Sequence, residues 1–254
     1  MAVAIAGIAV WQGRAWATRN AEDQQLRAAL SPGPNAQPMA EREKLILAAS
    51  HGRARRSGDT LRLKLANGRE TKFVSRSKAC AADDAEHCIV YSLLAVLPSR
   101  HAYLVDETYY EGGGALLIDD RNGRKTDLPG VPMFSPYADE ILTINNDVEY
   151  EHEFDLQVWK RVRDHYVMEW GHKTLDVQEE CSETLLHWDS NDRLTVRFSA
   201  DSAQPRPVTW TGTLIRSNGR WRLEMLIPAV VLNPPPPPGS GPGAAVSTPR
   251  TATD

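Results

Sequence analysis

Two acidic, aromatic-rich runs hold the side chains best suited to chemistry. Asp106-Glu107-Thr108-Tyr109-Tyr110-Glu111 leads into Gly112-Gly113-Gly114 and reads as a strand running out into a bend. Side chains alternate across a strand, so Asp106, Thr108 and Tyr110 share one face while Glu107, Tyr109 and Glu111 share the other. The second trio would make a glycan-binding surface or an acid/base patch. Carboxylate pairs for glycoside hydrolysis sit roughly 5 to 9.5 Å apart, a spacing that neighbours two apart on a strand can reach. Many exposed strands carry the same mixture, and a solvated face with packed tyrosines is the weightier reading. The other run, Glu149-Tyr150-Glu151-His152-Glu153-Phe154-Asp155, surrounds one imidazole with carboxylates, and His152 joins Glu107, Tyr109 and Glu111 as a candidate binding residue. Calcium needs several hard oxygens in loop geometry, yet the run lacks an Asp-x-Asp-x-Asp-Gly arrangement and reads as a charged surface loop.

Established catalytic signatures are missing. The chain has no Gly-x-Ser-x-Gly elbow and no His-Glu-x-x-His pair, and Gly112-Gly113-Gly114 lacks a Lys-Ser/Thr ending and precedes a strand rather than a helix. No cofactor is expected. Cys80 and Cys88 bracket the polar loop Ala81 to His87, a spacing that suits a short-loop disulfide in an oxidising compartment. Zinc between them, with Asp83, Asp84 and His87 nearby, is the alternative, but one loop without a second Cys or His pair is a weak metal pattern. Cys181 is left as a buried free thiol in a strand. Trp159, Trp170, Trp188, Trp210 and Trp221 all fall in strand-like runs, where core packing outweighs sugar stacking.

These residues are carried by a mostly soluble composition with 41% hydrophobic residues in 254, enough for a real core. The exception is Ala2 to Trp11, an apolar run followed by Ala15-Trp16-Ala17, which fits the small-x-small pattern of signal-peptidase cleavage. Residues 1–17 are read as a signal peptide, with an uncleaved anchor or a short buried helix as alternatives. The run is far below the roughly 20 apolar residues of a transmembrane helix, so no stable transmembrane anchor is expected. Net charge is −4, and removing Arg14 with the leader makes it −5, which argues against nucleic acid as a partner. The one basic run, Arg53-Ala54-Arg55-Arg56, reads as cations at a helix C-terminus, with a phosphate or lipid-headgroup contact as the lesser alternative.

Residues 18–56 form a helical N-terminal segment, with helices over Asn20 to Leu30 and Pro38 to Ser50, the latter ending at His51-Gly52. From Thr60 the periodicity becomes two, and residues 57–232 read as an antiparallel β domain. An initial hairpin turning at Asn67-Gly68 precedes three groups of four strands: 87–128, 134–170 and 184–227. Asn122-Gly123 and Asn218-Gly219 also mark hairpin tips, each pair being suited to the two positive φ values of a type I′ turn. Leu97-Pro98-Ser99, Phe134-Ser135-Pro136 and Trp188-Asp189-Ser190 recur at similar places, about 40 to 55 residues apart. Pro234 to Pro238 opens a disordered tail over 233–254.

The stretch 112–145 combines the strand Ala115–Asp119, the turn Arg121-Asn122-Gly123-Arg124, Phe134-Ser135-Pro136 and the strand Glu140–Asn145. It resembles a blade of the WD40-like repeats in exported bacterial proteins of the translocation-protein-B type, where a strand and turn lead to Phe-Ser-Pro-Asp-Gly. Tyr137-Ala138-Asp139 stands where Asp-Gly is usual, so the turn after the motif differs. The run Tyr109 to Ile144 is also similar to uncharacterised exported bacterial proteins. The resemblance implies a partial or small β-propeller-like arrangement and no activity. Three and a half blades fall short of the roughly four to eight that close a ring, so the alternatives are an open, incomplete propeller and a β-sandwich. The expectation is a mainly β, periplasmic or secreted binding protein without catalysis, whose partner is an envelope protein or glycan. The alternative is a small hydrolase of envelope polymers.

Overall fold

Alternating apolar and polar residues in the outer sheets and continuous apolar runs in the inner ones build four consecutive antiparallel sheets in a computed structural model that describes residues 22, 26, 37–137, 139–145, 154–173, 181–200 and 208–226. The first holds β1 (Ala54–Ser57), β2 (Thr60–Lys64) and β3 (Glu70–Val74), and the second β4 (Ile89–Leu97), β5 (Ala102–Tyr109), β6 (Gly113–Asp119) and β7 (Lys125–Leu128). The third holds β8 (Met133–Phe134), β9 (Glu140–Ile144), β10 (Leu156–Val162) and β11 (His165–His172). The fourth holds β12 (Cys181–Ser190), β13 (Arg193–Ala200), β14 (Val208–Ser217) and β15 (Arg220–Met225). Each sheet pairs its strands in chain order, so every connection is a hairpin or short loop. The protein is mainly β with few helices, and no closed propeller is present among the described residues.

The three expected four-strand groups are the second, third and fourth sheets. The initial hairpin is a three-stranded sheet instead, because Arg53–Arg56 does not end a helix. Helix α1 (Met39–Ala49) stops at Ser50, and the left-handed His51 (φ 51°) and Gly52 (φ 78°) redirect the chain into β1. Strand β1 escapes the periodicity because its inward positions are Ala54, small, and Arg56, whose guanidinium replaces an apolar side chain by bonding Glu43 of α1 at 2.6 and 2.7 Å. Cys80, at the start of the expected polar loop, lies on a short helix, α2 (Ser77–Ala81), which takes in the first loop residue. Of the helix expected over Asn20–Leu30 only Glu22 and Leu26 are described, both helical and buried. The leader over 1–17, His152 and the proline-rich tail lie outside the described residues.

All three Asn-Gly pairs sit at hairpin tips, but only Asn218-Gly219 has both φ values positive (52° and 73°). At the other two only glycine is left-handed, Gly68 at 82° and Gly123 at 80°. There the loops are longer: Leu65 N donates to Arg69 O and Asp119 N to Arg124 O, which leaves Asn a polar role. Its side-chain oxygen accepts from the backbone two residues on, from Arg69 N at 3.0 Å and Arg124 N at 2.8 Å.

Each sheet spends a face on its neighbour, which produces three clusters in a row. Leu61, Leu63 and Phe73 meet Leu93, Tyr103 and Ile118 between the first two sheets. Leu97, Leu104 and Leu117 meet Phe134 and Ile141 between the second and third. Leu142, Leu156 and Val158 meet Leu194, Phe198 and Trp221 between the third and fourth. The five strand tryptophans are core residues: Trp210 and Trp221 are buried, and Trp159, Trp170 and Trp188 pack on the clusters. Where the chain crosses from the second sheet to the third, a Cβ on Gly130 would lie 2.3 Å from Ile144 O, so only glycine fits there.

Candidate functional site

Strand β5 emerges from the core as it nears the predicted patch: Ala102 to Val105 are buried, and from Asp106 onward the side chains reach the surface. Glu107 stands opposite Tyr91 of β4 and Gly114 of β6. The Tyr91 hydroxyl donates to the Glu107 carboxylate, and burial, with the charge and hydrogen bond of Glu107, pushes the phenol up to about 12. Tyr109 ends the strand, half-buried, with its N–H donating to Gly112 O at 3.0 Å. Glu111 falls beyond the strand in the bend, exposed, so alternation does not carry it onto the face of Glu107 and Tyr109. The structure thus places Glu107 and Tyr109 on one strand, sets Glu111 outside it, and does not describe His152.

Period-two reasoning passed over the opposite face. Thr108 Oγ1 donates to Asp106 Oδ2 at 2.8 Å. Burial pushes the Asp106 carboxyl up, against the opposing Thr108 hydrogen bond and the Arg42 charge from α1. Burial makes Asp106 distinctive, with the Arg42 charge from α1 opposing it, and no spacing within the run signals either.

A polar notch lies between the second and third sheets, bordered by Arg100, His101, Asp119, Arg124, Arg161 and Tyr166. Its volume of about 20 Å³ is room for one water. Its charges are largely spent on each other. Arg124 bonds Asp164 at 3.1 Å, the Arg121 guanidinium bonds Asp119, and the Arg100 guanidinium lies 4.5 Å over the Phe134 ring. Burial raises the Asp119 carboxyl, but the Arg121 hydrogen bonds more than offset this and the net direction is down. Burial pushes Tyr166 up to about 12 despite Arg161 and Arg100.

Buried carboxylates elsewhere repeat the pattern, each facing an arginine. Glu22 meets Arg100 at 2.6 Å, Glu43 meets Arg56 at 2.6 Å, Asp120 meets Arg53 at 2.5 Å and Glu140 meets Arg216 at 2.8 Å. Two of these join successive sheets: Arg53–Asp120 links the first sheet's entry to the second, and Arg216–Glu140 links the fourth to the third. Cys80 and Cys88 are joined as a disulfide, which removes both thiolates from the zinc alternative. Among the described residues no three His, Cys, Asp or Glu side chains group as a metal site, and no helix is long and apolar enough to cross a membrane. No protein-family model and no curated protein matches the chain.

Proposed function

We propose that this is an exported, periplasmic or secreted protein that acts by binding an envelope component, through the exposed faces and loops of an open row of blade-like sheets. The observation that carries the reading is the commitment of its carboxylates. General acid/base work needs a carboxyl poised near the working pH beside a space for substrate. Here the buried carboxylates face arginines, Glu107 accepts from Tyr91, Asp106, pushed up by burial, accepts from Thr108 and does not line the notch, and the notch between sheets has room for one water. The Cys80–Cys88 disulfide supports an oxidising compartment. The blade-like reading, and with it the likeness to exported WD40-like repeat proteins, draws on the four successive meanders.

Co-sedimentation of the oxidised protein with purified envelope polymer is the test. Retention of the protein without release of soluble fragments is expected. Fragment release that falls in Glu107→Gln and Glu111→Gln would replace this reading with the hydrolase.

A further inference from the structure

We propose that the outer face of the first sheet docks on an anionic phospholipid bilayer, its cations meeting phosphate headgroups. The proposal rests on the binding reading above and names a surface and a partner class for it. Alternation in β1, β2 and β3 buries Ala54, Leu61, Leu63 and Phe73 against the second sheet. The intervening positions, Arg55, Arg62, Lys64 and Lys72, therefore point the other way. Register sets three of them in a line across the sheet, Arg55 opposite Arg62 and Arg62 opposite Lys72. Like charges directly opposite destabilise a sheet, so a face shaped for stability alone would alternate signs.

Compensation on this face is partial. Glu70 is its carboxylate, 2.8 Å from Arg55 and 3.8 Å from Arg62. Lys64 and Lys72 are exposed and have no ion-pair partner among the described residues. This face therefore carries net positive charge on a chain whose net charge is −4. The fourth sheet, at the other end of the row, also carries arginines on its outward face but spaces them differently. Its outward cations Arg193, Arg197 and Arg222 each stand opposite a neutral residue, Ile215 or Thr211, and Arg222 is paired with Glu224 at 2.8 Å.

Geometry selects the partner. Three strands about 4.8 Å apart and roughly five residues long span about 10 by 17 Å, far below the roughly 800 Å² per partner of a stable protein interface. Cations standing on an open sheet about 5 to 7 Å apart do not enclose a free anion either. A bilayer demands neither area nor enclosure, since each headgroup meets one side chain, and about four basic residues is where clusters begin to hold anionic lipid. Val74, 58% exposed on the same outward face, adds an apolar contact at its margin.

The full oxidised chain would be sedimented with vesicles of phosphatidylglycerol and phosphatidylcholine in about a one-to-two ratio, and with phosphatidylcholine alone. We expect at least about tenfold preference for the anionic vesicles, lost when salt rises from about 0.05 to 0.5 M. Lys64→Gln/Lys72→Gln removes two surface charges that hold no ion pair among the described residues and should abolish that preference without changing the melting temperature. Glu70→Gln removes the opposing charge and should strengthen binding about threefold or more. Equal binding to both vesicles, salt-independent binding, or wild-type binding by the double variant overturns the proposal. So does retention by soluble polyglutamate with none by vesicles, which would make the face a site for an acidic polymer. Failure with vesicles while envelope polymer still retains the protein removes this inference alone; failure of both removes the binding reading too.

Discussion

Replacing Arg216 by methionine should unfold the junction between the third and fourth sheets more readily than any surface change. Arg216 reaches from β14 to Glu140 of β9 at 2.8 Å and lies 3.7 Å from Glu169 and 3.6 Å from Asp192. The Glu140 side chain is 6% exposed, so losing its arginine leaves a nearly dry carboxylate with Ser135 Oγ at 3.4 Å as its other side-chain partner. Removing one member of a buried pair costs about 3 to 5 kcal/mol. Arg216 keeps 17% of its side-chain surface in water, which places the expected cost near the lower end, about 3 kcal/mol. Replacing both members by apolar side chains of similar volume is often nearly neutral, so Glu140→Met/Arg216→Met should recover to within about 1 kcal/mol of the parent. Urea unfolding followed by tryptophan fluorescence measures all three variants, since Trp221 lies beside Arg216 and donates to Glu169 at 2.9 Å. A single variant within about 1 kcal/mol of the parent, or a double variant no better than the single, refutes the argument.

Gly123→Val should cost about 2 to 4 kcal/mol in thermal or chemical melts, combining left-handed strain at φ 80° with a Cβ only 2.9 Å from Leu65 Cδ1 and Thr71 Oγ1. Cys80→Ser/Cys88→Ser should lose about 2 to 3 kcal/mol, the chain-entropy value for a short closed loop, while reductant should leave the variant's melting temperature unchanged. Burial lowers the His172 pKa, with Asp155 opposing, so its contribution to stability is full above the unfolded value of about 6.5. That contribution declines as pH falls from there through the folded value; His172→Gln should flatten the slope in melts between about pH 7 and 5. Conversely, the raised Asp106 carboxyl penalises the fold once pH passes its unfolded value of about 3.9, so Asp106→Asn should raise the melting temperature at pH 7 and not at about pH 3.

The outer strand groups were legible because they keep a wet and a dry face, as in Leu61-Arg62-Leu63-Lys64, while the inner groups, buried on both faces, read as short apolar runs such as Leu116-Leu117-Ile118 between turn residues. Strand β1 was not, since Arg56 faces inward against a glutamate 13 residues earlier, a pairing that only tertiary structure creates. The Asn-Gly positions were readable but their turn types were not, because loop length at Leu65–Arg69 and Asp119–Arg124 is set by where the ladder hydrogen bonds end. At the candidate site, alternation correctly separated the Glu107 and Asp106 faces. It could not foresee that Tyr91, sixteen residues away, would engage Glu107, or that α1 would bring Arg42 near Asp106. The bulge opposite Val158–Trp159 shows the same limit: it turns Glu169 toward Trp221 and Arg216, a contact no period predicts.

Apolar burial alone does not explain why these sheets stack in this order, since the three clusters draw on interchangeable leucine, valine and aromatic faces and the attraction is non-directional. Direction comes from the charges. A carboxylate buried at a junction tolerates only the neighbour that brings its arginine, because the unpaired state costs several kcal/mol and an apolar mismatch costs less. Arg53–Asp120 and Arg216–Glu140 thereby mark which sheet follows which, at the two ends of the row. The middle junction relies on Arg124–Asp164, exposed on both sides, and on Arg100 over Phe134. It is therefore the junction expected to open first, and hydrogen exchange should show β7 and β8 losing protection before β5 or β13. Uniform protection across the four sheets would mean that the clusters, not the ion pairs, set the order.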